Sequence, residues 1–352
     1  MHVLLEKYLR AIKNHLPQKS PVPSVGLDID LESCRLIELV KQGDSFEILQ
    51  WAVEPVENAD VEGTLRRLWG RLNIQSKAPY TAVSGKGTLI RYIDMPRMPA
   101  EDLKKSFDIE ADRYFPFSKD QIYTDCYILN PESQDKQILV LVAAAKREII
   151  QERMELLMRL GLSCPSISLN SMALANIFYF LGKMTQNSSG KGEPQAMAVL
   201  DMEETLSNLV VMVNDRPRFN RDIFIGGQDL TKRISNVLGM GLPEAKRLRT
   251  QPGDRLPEIL TICDSVLMNL VSEVRFSFDY FTTEHNLSIG KLFLSGSCAL
   301  LAGIVEVFSK NLDIPIERWN PIQNFKLGPG VHAEEIFKNA GQLAVSLGLA
   351  LS

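Results

Sequence analysis

The chain has little of what metal and redox chemistry need. Its five cysteines stand at positions 34, 126, 164, 263 and 298, with no CxxC pair among them. That pattern excludes a disulfide framework and a cysteine zinc site, and it fits a reducing compartment. The four histidines are scattered too, so no histidine metal site is readable. Neither a Cys/His nor a Ser/His/Asp arrangement can be assembled, which leaves no candidate nucleophile with its base. Long apolar runs are also missing. The longest, Ile138 to Ala145, is about half of the roughly 20 residues needed to cross a bilayer, and reads as a buried strand. Glu6, Lys7 and Arg10 stand where a signal peptide would have its apolar core, which predicts a cytoplasmic protein. A net charge of −4 gives no basic excess for nucleic acid.

What is present is ordinary for a folded protein. The 45% hydrophobic and 23% charged content, over 352 residues, suits two domains with real cores. Two stretches look alike. Val25-Gly26-Leu27-Asp28-Ile29-Asp30 leads through Ser33 and Arg35 into Leu36–Val40. Ala198-Val199-Leu200-Asp201-Met202-Glu203 leads through Thr205 and Ser207 into Leu209–Val213. Each is an apolar strand ending in an aspartate, a polar turn and a second apolar strand. Each therefore reads as a β-hairpin, and the pair predicts a duplicated fold with a cleft between its halves.

Around them the pattern gives further elements. Residues 2–20 make an amphipathic helix, with Leu4, Leu5, Tyr8, Leu9, Ile12 and Leu16 on one face. Pro17 closes it. A strand near 46–53 and a helix over 61–72 follow. Residues 79–165 read as an inserted unit with strands at 81–83, 89–93, 122–129 and 138–145. Its helices fall near 100–114 and 146–160, and Met95–Pro99 forms a turn. Residues 183–195 are rich in loop formers and read as a flexible connector. Beyond them come a strand at 218–225, helices near 228–238, 243–249 and 258–284, a strand at 292–296, and a helix from Leu300. The chain closes on a helix at 340–351, whose Ala344, Ser346, Gly348 and Ala350 permit close packing.

Several quoted positions carry a family resemblance. In the inserted stretch, Arg91, Ile93, Met95-Pro96 and Met98 precede Leu103, Glu110-Ala111, Tyr114, Pro116-Phe117 and Asp125. Later come Arg218, Arg221, Ile225, Gly226-Gly227 and Leu230-Thr231, then Pro243-Glu244-Ala245 and Leu248. Glu273, Arg275 and Phe278 lie in the long helix, Leu294-Ser295-Gly296 in a strand-to-helix turn, and Leu347–Leu351 at the end. Over about 24–352 this resembles the type IV pilus assembly protein PilM family. FtsA and the cytoplasmic part of GspL are its relatives.

The resemblance implies an α/β, actin-like (ribonuclease H-like) two-domain ATPase fold with an inserted 1C (SHS2-like) subdomain. Its expected divisions are an N-terminal helix at 1–21, subdomain 1A at 22–78, 166–182 and 334–352, subdomain 1C at 79–165, the connector at 183–195, and a second half at 196–333. The implied role is a cytoplasmic scaffold that docks the N-terminal tail of a PilN-like inner-membrane protein. Pilus motor ATPases and further copies of the chain are other implied partners. Residues 1–20 are expected to dock on the protein itself or on a partner, and Lys7, Arg10, Lys13 and Lys19 make a peripheral membrane contact the alternative. A competent actin-like ATPase and a sugar or acid kinase are the alternative readings.

The resemblance also implies where a nucleotide would sit. Asp28 and Asp201 would hold Mg²⁺ beside the phosphates of ATP. Asp30, Ser33, Arg35, Glu203, Thr205, Gly226, Gly227, Gly296 and Ser297 would line the rest. Nucleotide-binding relatives carry glycine where this chain has Asp30 and Glu203, so that backbone N–H groups reach phosphate unobstructed. An acid there adds a Cβ and a charge. Two like charges about 4 Å apart cost roughly 4 kcal/mol at an effective dielectric near 20. ATP and Mg²⁺ are therefore expected to bind weakly or not at all, and the chain leans away from being an enzyme. Gly296-Ser297 replaces a Gly-Gly pair, a milder departure.

Overall fold

The structure, a computed structural model, describes residues 22–43, 45–72, 74–131, 134–185 and 196–352. The expected N-terminal helix and most of the connector at 183–195 lie outside these residues.

Strands β1 (Ser24–Ile29), β2 (Ser33–Gln42) and β3 (Ser45–Pro55) form an antiparallel meander. The first eight residues of β2 are buried on both faces, which is why it reads as a continuous apolar run and not as an alternation. Helix α1 (Val61–Leu72) buries Leu65 and Leu68. The chain returns in β4 (Tyr80–Val83), parallel to β1. Next come β5 (Thr88–Pro96), α2 (Ala100–Tyr114), β6 (Ile122–Ile128) and β7 (Gln137–Lys146). These strands make a separate antiparallel sheet in the order β5-β7-β6. On β7, Val140, Val142 and Ala144 face α2, while Leu139, Leu141 and Ala143 face Leu169 and Met172 of the body. Helix α3 (Arg147–Arg159), strand β8 (Ile167–Leu169), parallel to β4, and helix α4 (Asn170–Thr185) complete the first half.

The second half repeats the plan. Strands β9 (Ala196–Met202), β10 (Ser207–Val213) and β11 (Arg216–Ile223) form another antiparallel meander. Helices α5 (Gly227–Leu238), α6 (Leu242–Thr250) and α7 (Leu256–His285) follow. Then β12 (Ile289–Ser295), α8 (Ile304–Asn311) and β13 (Ile316–Arg318) close the sheet, both strands parallel. The orders β3-β2-β1-β4-β8 and β11-β10-β9-β12-β13 are the same. The duplication expected from two hairpins is thus a duplication of whole sheets.

The last strand, β14 (Lys326–Leu327), adds to β3 of the first half. Helices α9 (Ala333–Lys338) and α10 (Ala344–Ala350) then return to the first half's core. Helix α10 lies against α4 so closely that a Cβ on Gly348 would fall 1.8 Å from the Ala173 carbonyl oxygen.

Several expected boundaries move. Strand β4 belongs to the six-stranded sheet, and α3 packs Leu157 into that sheet's core. The separately paired unit therefore runs from β5 to β7, inside the expected 79–165. Pro96 ends a strand where a turn is expected from Met95, because β5 continues pairing with β7 as far as Gln137. The chain re-enters the first half at β14, before residue 334. The helix expected from Leu300 begins at Ile304, after a 3-10 turn at Ser297–Leu300.

Candidate functional site

The two hairpins point their turns at each other across the halves, and they match residue for residue. Asp28 pairs across the strands with Arg35, and Asp201 with Asn208. The Asp30 N–H donates to the Ser33 carbonyl, and the Glu203 N–H to the Leu206 carbonyl, each at 3.0 Å. Asp30 and Glu203 are therefore equivalent positions of one repeated turn.

Arg35 fills the space between the hairpins. It is 1% exposed. One guanidinium nitrogen donates to Asp28 Oδ2 at 2.8 Å and the other to Glu203 Oε2 at 2.5 Å. Ser297 Oγ donates to the same Glu203 oxygen at 2.9 Å. Glu203 Oε2 thus accepts from both Arg35 and Ser297. Burial alone would lower the Arg35 pKa, but Glu203, Asp28, Asp30 and Asp201 more than offset it and raise the value. Burial pushes the Asp201 carboxyl up to about 7, with Arg35 opposing and Asp28 adding to the rise. Burial also raises Glu203, against the pull of Arg35, and raises Asp30. Asp30, Asp201 and Glu203 are thus biased toward keeping protons.

The cleft divides into two cavities. One, of about 380 Å³, is lined by Asp28, Asp30, Arg35, Glu203, Thr205 and Asn208 among others. The second, of about 270 Å³, is lined by Ser33, Ser297, Glu204, Lys246 and Arg249 among others. The Ser297–Glu203 hydrogen bond joins the two linings. Asp201 is 1% exposed and lines neither of these cavities. Among the described residues, no group of three or more His, Cys, Asp or Glu side chains is placed to hold a metal ion.

Gly226 and Gly227 start α5, where a helix N-terminus offers free N–H groups to an anion. Here those groups are used. Gly227 N–H donates to the Glu203 carbonyl and Gln228 N–H to the Glu204 carbonyl, at 3.0 and 2.8 Å. Gly226 N–H donates to Asp229 Oδ2 at 2.9 Å. Gly296 has φ +85, and a Cβ on it would lie 2.4 Å from the Met202 carbonyl oxygen. These glycines pack the second half's own turns together.

Sequence reasoning missed three contributors. Arg249 donates to Glu204 Oε1 at 2.5 Å and to Cys298 Sγ at 3.3 Å, all three buried. Lys246 pairs with Glu32 across the halves. Arg153 donates to Thr81 Oγ1 and the Ala82 carbonyl, each at 2.8 Å, and so fixes α3 beside the first hairpin. The Glu203-Glu204 doublet was the one visible hint, since a buried second acid needs a cation somewhere.

Comparison places this geometry among known proteins. A solved structure of a PilM-PilN type IV pilus biogenesis complex is similar at 24% identity and TM-score 0.82, covering 94% of this chain and 98% of that one. The ethanolamine utilization protein EutJ from Carboxydothermus hydrogenoformans is similar at 14% identity and TM-score 0.53, covering 99% and 98%. The fold is actin-like. The family described as type IV pilus assembly protein PilM matches residues 26–352, and with nearly the whole chain matched, the protein belongs to that family.

Proposed function

We propose that this protein is a non-enzymatic scaffold of a type IV pilus or related secretion machine. It docks the N-terminal cytoplasmic tail of a PilN-like inner-membrane protein, and it stands in the cytoplasm at the membrane through that partner. The observation that carries the reading is a cavity of about 580 Å³ between the inserted sheet and the body. Strands β6 and β8 both line it, and each is the outermost strand of its sheet. Leu129, Leu141, Ala143, Leu169 and Met172 give it an apolar floor. An extended tail adds to such an edge through its backbone, and apolar pockets select its side chains. The likeness to a PilM-PilN complex supports the partner's identity.

The test is titration of a synthetic PilN-like N-terminal peptide into wild type and Ala143→Arg. Ala143 faces the cavity and not the α2 core, so the arginine fills the groove and leaves the fold. Equal peptide affinity in both proteins overturns the reading.

The interhalf cleft suits a scaffold better than an ATPase. A magnesium nucleotide needs a cationic, donor-rich cradle. This cleft gathers Asp28, Asp30 and Glu203 around an arginine already engaged by two of them. The α5 N–H groups are spent on carbonyls. The residues present do not fit Mg-ATP, and calorimetry with Mg-ATP is expected to give weak or no binding. Micromolar affinity would restore the ATPase reading.

A further inference from the structure

We infer that residues 2–16 of this chain dock on the exposed face of α3, over Met154 and Met158 and beside Glu155.

That face is apolar where a surface helix is usually polar. Met154 is 45% exposed and Met158 62%. They stand one turn apart on α3, so they form a row along the helix. Ile150, one turn earlier, lines the 580 Å³ cavity, and the row is continuous with it. Beside the row lie Glu148, Glu152 and Glu155, all exposed. The bases nearby are engaged: Lys146 pairs with Glu148, and Arg159 with Glu62 of α1. Among the described residues, Glu152 and Glu155 have no ion-pair partner. The face therefore offers two adaptable methionines flanked by acids without counter-charges.

Charge selects the occupant. Residues 2–16 carry one apolar face, from Leu4 to Leu16, with Lys7, Arg10 and Lys13 off it. A short amphipathic helix needs a surface to pack on. The neighbouring helix α1 would repel this segment, because Arg66, Arg67 and Arg71 are exposed on it. Helix α7 shows another exposed pair, Phe276 and Tyr280. Its exposed neighbours Arg275 and Asp279 cancel, so it has no charge to offer. Helix α3 supplies both the apolar row and the opposite charge.

The chain also reaches it. Strands β1 and β4 run parallel, with Gly26 opposite Tyr80. Just after α3, the Ser163 N–H donates to the Lys77 carbonyl at 2.7 Å. The C-terminal end of α3 therefore emerges beside the residues leading into β4, at the same end of the sheet where Ser24 starts β1. The eight residues from Leu16 to Ser24 span up to about 27 Å, and α3 itself is about 20 Å long. Met158, in the last turn of α3, lies on the near part of that path.

The experiment is thiol crosslinking in the full chain. Cys164 is the one free cysteine that is not buried, so every variant also carries Cys164→Ser. One variant combines Ile12→Cys with Met158→Cys, and the other Ile12→Cys with Phe276→Cys. A short bismaleimide is expected to link the first pair within one molecule about tenfold faster than the second, since docking raises the local concentration of one thiol at the other. Adding Glu155→Lys to the first pair should slow the reaction severalfold with an unchanged melting temperature. Equal rates for the two pairs, or no effect of Glu155→Lys, overturn the inference. A crosslinked dimer overturns it in favour of a second copy on this face. No link in buffer, together with pelleting on phosphatidylglycerol vesicles that a chain starting at Pro21 does not show, overturns it in favour of the membrane.

Discussion

Arg35 and Glu203, 168 residues apart in the chain, meet in a 2.5 Å ion pair that ties the first hairpin to the second. Both side chains are almost fully buried. Such a pair adds little stability over an apolar replacement of both partners, but losing one partner strands the other charge. Here the asymmetry is larger, because Arg35 is a counter-charge for Glu203, Asp28, Asp30 and Asp201 together.

Arg35→Met is therefore expected to destabilise the protein by about 3–5 kcal/mol. Arg35→Lys should fall between, since one ammonium cannot serve Asp28 and Glu203 in the forked geometry. Urea unfolding measures both. A loss for Arg35→Met of less than about 1 kcal/mol, the range of exposed pairs, would contradict the structure. The exposed-side pair Glu32–Lys246 provides the contrast, and Glu32→Gln should cost about 1 kcal/mol or less.

The same cluster sets a pH dependence. The Asp201 carboxyl has a value near 3.8 unfolded and about 7 folded. Between those values the native state keeps a proton that the unfolded chain has released. Its contribution to stability is full below about 3.8 and is lost as pH rises toward about 7, at up to about 1.4 kcal/mol per unit. Glu203 shifts in the same direction. Asp201→Asn cannot release a proton, so it should be more stable than wild type at about pH 8 and show a shallower slope through the window. Thermal melts of both proteins across that range decide it, and parallel curves would exclude Asp201 as the titrating group.

How much of this could be read from the sequence follows from the distance over which each contact acts. The hairpins were legible because an apolar strand, an aspartate and a polar turn are local signals. Asp30 and Glu203 stood out for the same reason. Arg35 was visible as a residue, but its partnership with Glu203 depends on how two sheets meet. Arg249 gave no sign of its role, because Glu204 and Cys298 are brought to it only by folding. A four-residue apolar strand reads alike in any sheet, so the sequence alone puts β4 with the inserted unit. Only its parallel pairing with β1 and β8 places it. Strand β14, two residues long, has no period to detect.

The glycine losses give a gain-of-function test. Asp30→Gly with Glu203→Gly removes two acids from the cleft and releases Arg35 from one of its two partners. The double variant is expected to bind Mg-ATP more tightly than wild type, read by calorimetry. Each removed charge is worth roughly 4 kcal/mol at about 4 Å and an effective dielectric near 20, so the gain should be large enough to see. A stable double variant that still ignores Mg-ATP would show that the spent N–H groups of α5, and not the acids, close the site.

Gly296, in the turn that follows β12, separates folding from ligand binding. Its φ of +85 and the 2.4 Å approach of a Cβ to the Met202 carbonyl are properties of the second half's own packing. Gly296→Ala should therefore destabilise the protein with no nucleotide present, by about 2 kcal/mol or more, because strain and overlap act together. Ser297→Gly acts differently. It removes one hydrogen bond to Glu203, leaves Arg35 on that carboxylate, and should cost about 1 kcal/mol. Thermal unfolding in nucleotide-free buffer compares the two. If Gly296→Ala is neutral there, the glycine is kept for a ligand and not for its packing against Met202.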